Sequence, residues 1–357
     1  VTKKVTMQQI ADHLGVSKYV ISKALSGKKG VSGATRDRVI QTASQLGYFS
    51  QTSGYVKPIK SGRPEEAPDE SEVKQSMFVL MPNIRFQTKD SEYWGKILDG
   101  ITKRLEDKGI GMFIVMEQNV ESFLHLLNPE GIMGLIGVGE IATPMLLEIH
   151  RLGVPMVLVD HEDPLIPSDT VFANNYDCMY RLAKHLIGVG HRNISFIGNS
   201  RYSRSFFDRW NGFRNAMEEF GLWIKDEHLT ALDNMEHYDE PIKAWAMRKK
   251  KLGTLPTAVV CANDSLAMDA ARAFRELDID VPGEISITGF DNIDTRHHSP
   301  SLTTVNVPKE TLGARAVDKV LERINYPKEP FEKILISGEM VYRDSIGSAN
   351  RQPRVDS

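Results

Sequence analysis

Two cysteines in 357 residues do not make a disulfide framework, and ten scattered histidines lack the paired spacing of a structural zinc module. Cys178 falls in a helical pattern and Cys261 in the apolar run TAVVCAND, so both read as small structural hydrophobes. The adjacent pair His297-His298 reads as a solvated turn before Pro300. No run approaches the roughly 18 apolar residues of a membrane span, and the first residues are polar where a secretory leader needs an apolar core. A cytoplasmic chain with no membrane contact is therefore expected. A net charge of only −3 hides a division. Residues 1 to 60 hold ten Lys or Arg against Asp12 and Asp37, a net of +8, while the rest carries 34 basic and 45 acidic side chains, a net of −11. A basic head on an acidic body is the electrostatic pattern of a nucleic-acid module joined to a ligand-binding or partner-binding domain.

The head shows why. In VTMQQIADHL, Thr6 and Gln9 form a capping box, Val5 and Ile10 a staple, and Met7, Ile10, Ala11 and Leu14 one apolar face. Gly15-Val16 breaks this helix. Ser17 caps a second one that turns Val20, Ile21, Ala24 and Leu25 inward and Lys18, Tyr19, Ser22 and Lys23 outward. A third helix over about residues 34–46 buries Val39, Ala43 and Leu46. Helix, tight turn and helix make a unit whose short cationic second helix fits a major groove roughly 12 Å wide. Lys18, Tyr19 and Lys23 are candidates for base edges. Ser17, Ser22, Lys28, Lys29 and Arg36 are candidates for phosphate oxygens, which position the module without reading sequence.

The segment IADHLGVSKYVISKALSGKKGVSGATRDRVIQTASQLGY (10–48) resembles the head of the LacI/GalR bacterial transcription regulators. By that likeness Lys18, Tyr19 and Lys23 occupy operator-reading positions, with Val20 in place of the usual Thr and Lys23 in place of the usual Arg. Lysine lacks the rigid bidentate fork of arginine, so an altered operator is expected. Family members then place a hinge helix whose Leu wedges into the minor groove. Here the matching positions are Gly54, Tyr55, Val56 and Lys57 before Pro58, which oppose a helix and leave Tyr55 or Val56 as the alternative wedge. The acidic stretch from Glu65 to Glu72 reads as a solvated spacer.

From residue 77, apolar runs alternate with amphipathic stretches: MFVLM, a helix at 92–108, GMFIVM, a short helix ending at Leu127, IMGLI, a helix at 143–152, and PMVLV. A second series follows: a helix at 176–189, NISFIG, helices at 205–221 and 241–250, TAVVCA, a helix at 264–277, and ISITGF. This is α/β organisation in two similar halves. Ligands in such folds bind beyond the carboxyl ends of strands. That rule selects Asn83, Asp160, Asn263 and Asp291, to which Tyr93 and Trp94 on one helix and Arg209 and Trp210 on another add aromatic faces and a cation. Carboxylates, arginine and aromatic rings together suit a carbohydrate.

The stretches VPMVLVD, LIGVGHRNISFIG, RWNGF, PTAVVCANDSLAM, VPGEISITGFDNID and SPSLTTVNVP resemble the same regulators' periplasmic-binding-type core. The resemblance implies an all-α helix-turn-helix DNA-binding head plus an α/β two-lobed periplasmic-binding-protein-like (type I) core. The divisions are a head at 1–50, an atypical hinge and acidic linker at 51–76, a two-lobed effector and dimerisation domain at 77–345, and a tail at 346–357. The first lobe takes 77–174 and 306–337, the second 175–305 and 338–345. It also implies that Arg209 and Asp291 clamp an effector, that Asp264 supports the following helix, and that the chain forms a homodimer on a palindromic DNA operator. Leu146, Ile149 and Leu152 read equally well as dimer interface or as internal core.

The expected function is a transcription regulator, a repressor controlled by a carbohydrate effector, with no cofactor and no metal. Two other readings have control by a protein partner, or sensing without DNA binding. One enzyme reading arises from Gly137-x-Gly139-x-x-Ala142 after a strand, with Asp160 21 residues beyond Gly139, which matches a nicotinamide-dinucleotide fingerprint. No hydride-transfer constellation or catalytic dyad accompanies it, so the chain is read as a non-enzyme.

Overall fold

A computed structural model of the chain describes residues 11, 12, 14, 16–25, 35, 39, 76–82, 87–116, 132–223, 228–230, 238–293 and 300–349. In the head, Ala11, Asp12 and Leu14 are helical, as are Thr35 and Val39. Between them runs α1 (Lys18–Leu25). Its start is fixed by Ser17, whose Oγ accepts from Val20 N at 3.3 Å while its carbonyl accepts from Ile21 N. Ala11, Ile21 and Val39 are all buried, so each of the three helical stretches supplies at least one side chain to a small core.

The body begins with β1 (Ser76–Leu80), α2 (Trp94–Asp107), β2 (Gly111–Val115), β3 (Ile132–Val138), α3 (Thr143–Arg151), β4 (Met156–Val159) and β5 (Asp169–Ala173). Then come α4 (Asn175–Gly188), β6 (Ile194–Ile197), α5 (Arg204–Glu219), α6 (Asp239–Leu252), β7 (Ala258–Cys261), α7 (Asp264–Glu276) and β8 (Ser286–Thr288). The chain closes with β9 (Thr304–Asn306), α8 (Lys309–Asn325), β10 (Lys333–Ile336) and β11 (Glu339–Val341). The first sheet has the order β10-β5-β4-β3-β1-β2 and the second β6-β7-β8, with every pairing in both parallel. β9 and β11 pair antiparallel, and Thr303 bridges to Thr288 at the edge of the second sheet. The chain thus passes between the two sheets after β5, after β9 and after β10.

Alternation along β1 explains the layers. Met77 and Val79 join Ile97, Ile101, Val317 and Val320 of α2 and α8 on one face, whereas Phe78 and Leu80 join Met145, Leu146 and Ile149 of α3 on the other. Leu146 and Ile149 are therefore internal core and not interface, while Leu152 is exposed. α2 and α8 approach closely because Gly100 lies against the Glu310 carbonyl and Gly313 against that of Ile97. A Cβ on either would fall about 2 Å from those oxygens.

Four short strands, β5, β9, β10 and β11, are not among the apolar runs read from the sequence. β5 reads DTVFA, and its leading Asp169 is fully buried because Arg323 of α8 pairs with it through two bonds of 2.7 and 3.0 Å. Glu332 N adds a third bond at 2.8 Å, which holds the approach to β10 against β5. Both Cys178 and Cys261 are buried and unpaired. Removing one partner of a buried ion pair leaves the other charge uncompensated. Asp169→Ala is expected to cost about 3–5 kcal/mol, read as a lowered urea midpoint at unchanged slope.

Candidate functional sites

A cavity of about 660 Å³ opens where the carboxyl ends of the two sheets face each other. Its floor is organised by Arg209, only 2% exposed in α5. Nε donates to Asn175 Oδ1 at 2.9 Å, one Nη to the Ala262 carbonyl at 2.8 Å, and the other Nη to Asp291 Oδ1 at 2.9 Å. The guanidinium lies 3.9 Å from the centre of the Phe290 ring. Lys309 Nζ donates to the carbonyls of Asp291 and Val307. Asp160, which follows β4, accepts from the hydroxyl of Ser205, and Ser205 also accepts from Asn175 Nδ2 at 3.0 Å. Tyr93, Trp94, Tyr202 and Phe206 give the walls their aromatic surface.

Backbone and charge are both perturbed here. Asp160 and Asp291 occupy left-handed conformations, with φ of 56° and 110°, which L residues rarely adopt and which aim both carboxylates at the cavity. Burial pushes Asp160 up to about 6, against the lowering effects of the Ser205 hydrogen bond and the Arg209 charge. Asp264 rises to about 7, first through burial and then through the charge of Asp291. Burial also raises Asp291, opposed by Arg209 and Lys309, and lowers Lys309.

Of the residues selected from sequence, Tyr93, Trp94, Asp160, Arg209, Asn263 and Asp291 all line this cavity. Asn263 also caps α7, its Oδ1 accepting from Leu266 N at 3.0 Å. Asp264 accepts from Thr304 Oγ1 and Ile293 N, tying α7 to β9. Asn83 lies outside the described residues. Trp210 is a correction. It turns away from the cavity into a cluster with Phe196, Phe213, Trp223 and His228, because one residue along a helix is a rotation of about 100°. Sequence reasoning passed over Ser205, although it sits four residues before Arg209 on the same helical face. It also passed over Gln87, which reaches the site from a loop, and Asn175 and Lys309, the first residues of α4 and α8.

On the head, Lys18 and Tyr19 are exposed, Tyr19 at 68%, and Lys23 Nζ lies 5.1 Å from the centre of the Tyr19 ring. Ser17 is exposed beside them. The side chain of Ser22 and the residues Lys28, Lys29, Arg36, Tyr55 and Val56 lie outside the described residues.

Two family models match the chain: bacterial regulatory proteins, lacI family, over residues 6–51, and a periplasmic binding protein-like domain over residues 183–346. The chain is similar to the lacI family of bacterial regulatory proteins in its head and to periplasmic binding proteins in the later part of its body. It is 28% identical over 352 residues to the HTH-type transcriptional repressor PurR of Pasteurella multocida (strain Pm70), covering 96% of this chain and 99% of that one. Among solved structures, a complex of the transcriptional regulator CelR with cellobiose matches with a TM-score of 0.66 at 19% identity, over 96% of this chain and all of that one. The Lac repressor dimer bound to operator and the anti-inducer ONPF matches with a TM-score of 0.63 at 21% identity, over 96% and 99%. These structures share the fold.

The curated relatives it matches are named transcriptional repressors and not enzymes, and the geometry around the apparent dinucleotide fingerprint does not suit a dinucleotide. Gly139 (φ +70°) has the buried Gln87 side chain packed on it, so a Cβ there would lie 2.5 Å from the Gln87 carboxamide carbon. Gln87 Nε2 donates to the Pro82, Val138 and Glu140 carbonyls, and its Oε1 accepts from Glu140 N at 2.8 Å. The amide that a pyrophosphate would approach is thus engaged by Gln87. Among the described residues no helix is long and apolar enough to cross a membrane, and no group of three His, Cys, Asp or Glu is placed to hold a metal.

The elevated carboxylates give a pH dependence of determined sign. A folded-state pKa above the unfolded value stabilises the fold while the group is protonated and opposes it as pH rises. Between about pH 4 and 6, Asp160 therefore contributes a falling limb to stability. Asp160→Asn is expected to flatten that limb by about 2 kcal/mol, after discounting for partial solvent screening, measured as denaturation midpoints across that range.

Proposed function

We propose that this regulator is a repressor whose affinity for a palindromic operator is set by a sugar or sugar derivative held in the cleft. One observation carries the carbohydrate reading: Arg209 and Asp291 form a buried donor–acceptor pair on the floor, facing Asp160 and flanked by the Tyr93 and Trp94 rings. Vicinal hydroxyls both donate and accept, which suits a paired guanidinium and carboxylate, and ring C–H surfaces suit aromatic walls. The cavity volume is that of a small-molecule site.

The control mechanism is a two-state one. The cleft joins elements of both sheets, so a ligand that prefers one arrangement shifts the population toward it. In a homodimer that shift changes the spacing of two heads and decides whether both reach their half-sites. Lys18, Tyr19 and Lys23 read base edges from α1, and Ser17, Ser22, Lys28, Lys29 and Arg36 hold phosphates. The compartment for this work is the cytoplasm.

Selection from randomised duplex pools tests the DNA half of this reading. A palindromic consensus should enrich, and Lys23→Arg should change the preferred base at one position of each half-site by about 1–3 kcal/mol. Absence of enrichment overturns it. Calorimetry against neutral sugars, acidic sugars and purines tests the ligand half. Asp291→Ala should weaken the binding sugar by at least about 2 kcal/mol, with its melting curve followed alongside because the change also leaves Arg209 short of an acceptor.

A further inference from the structure

The cleft floor holds three buried or half-buried carboxylates, Asp160, Asp264 and Asp291, but two cations, Arg209 and Lys309. Both cations are committed. Arg209 has its three nitrogens on Asn175, Ala262 and Asp291, and Lys309 is on the carbonyls of Asp291 and Val307. Asp264 is satisfied by Thr304 and Ile293. Asp160 differs, since among the described residues its hydrogen-bond partner is the Ser205 hydroxyl and no Lys or Arg ion-pairs with it. At the cleft mouth Arg204, the cation closest in sequence to Ser205, is itself paired to Glu162 and Asp208. Asp160 thus has no ion-pair contact among the described residues, with the Arg209 charge acting on it only from a distance, and its left-handed backbone fixes where it points.

A second observation lies on the same cavity. Tyr93 is 9% exposed, and its hydroxyl is buried with no hydrogen-bond partner among the described residues. An unpaired buried hydroxyl costs about 1–3 kcal/mol, so a ligand group that pairs with it gains that back. The Trp94 ring, edge-on to Tyr93 at 4.9 Å, supplies a π face beside it. Six carboxylates line the cavity, Glu92, Glu140, Asp160, Glu162, Asp269 and Asp291, against the arginines Arg201, Arg204 and Arg209, so an anion brought here meets a net negative lining. A cation meets a carboxylate without an ion-pair contact and aromatic faces.

We propose that the effector presents a positively charged nitrogen to Asp160, so that the cleft prefers an amino sugar to its neutral or acidic counterpart. This rests on the carbohydrate reading above. The ammonium would sit against the Asp160 carboxylate with the Tyr93 hydroxyl as a further acceptor, while Arg209 and Asp291 engage hydroxyls. Charged and titratable groups facing Asp160 are Arg209, Asp291, Asp208 and Tyr93, with the Ser205 hydroxyl bonded to it. Because burial holds Asp160 near 6, protons compete with the ammonium at acid pH. Affinity for the amino sugar then falls by about ten-fold from pH 7 to pH 5, whereas a ligand presenting a neutral acceptor gains affinity over the same span.

Calorimetry on the full chain decides this with matched sets: glucose, glucosamine and glucuronate; galactose, galactosamine and galacturonate; cellobiose and its diamino analogue; and putrescine as a cation without a sugar ring. The expected result is an amino sugar binding at least about ten-fold tighter than its neutral parent near pH 7, with the preference lost in Asp160→Asn. Asn tolerates left-handed backbone as Asp does, so this variant keeps the local fold, and its melting curve checks that. Tyr93→Phe, which removes only the hydroxyl, should weaken amino-sugar binding several-fold. A neutral parent that binds as tightly as the amine overturns the inference and leaves the carbohydrate reading intact. A preference unchanged in Asp160→Asn also overturns it, as does failure of every amine. Binding of putrescine with no sugar bound upholds the cationic nitrogen and removes the carbohydrate reading.

Discussion

A guanidinium cannot be buried without acceptors, and the way Arg209 finds three of them orders the whole ligand-binding end of the body. Asn175 stands where the chain has just left β5 for the second sheet, Ala262 follows β7, and Asp291 follows β8. Stacking on Phe290 completes the shell. Leaving any of those acceptors out would strand a charge in a dry setting, a penalty of several kcal/mol. The cation therefore fixes the relative placement of a crossover and two strand ends, and the cleft floor is a by-product of satisfying it. Asp291 is held in a strained backbone by the same network, through Arg209 on its side chain and Lys309 on its carbonyl.

The network also crosses from one sheet to the other. Asp160, at the end of β4, is bound by Ser205 from α5, and Ser205 shares Asn175 with Arg209. Farther out, Glu162 joins Arg204 of α5 to Lys333 of β10. These polar links run beside an apolar cluster that draws on both sheets. A ligand in the cleft can bias such a body where it changes the polar links that bridge Asp160, Ser205 and Arg209.

Sequence carried much of this, for physical reasons. Parallel strands buried on both faces read as continuous apolar runs, so β1, β3, β4 and β7 stand out, and the residues after them led to Asp160 and Asn263. β5 hides because Asp169 and Thr170 look like loop residues until Arg323, 154 positions later, neutralises the first of them. Trp210 was misplaced because neighbours in sequence diverge on a helix, while Ser205, one turn from Arg209, was legible by the same geometry and overlooked. Gln87 and Lys309 carried no local signal, since Gln87 acquires its role through partners 51 and 53 residues away and Lys309 through one 18 residues away, which only the fold brings together. The resemblance of residues 10–48 to the LacI family supplied the head directly, and the two matching family models fall on the head and on most of the second half of the chain. The linker, where the chain departs furthest from that family's pattern, lies outside the described residues.

The account stands on one coupling, between occupancy of the cleft and grip on DNA. Its most direct test is a fluorescence-anisotropy titration of the full chain against its enriched operator duplex, with and without a saturating concentration of whichever sugar binds the cleft. The account predicts a shift of the operator midpoint by about ten-fold or more in wild type, and none in Asp291→Ala. Superimposable wild-type titrations with and without that sugar would contradict it.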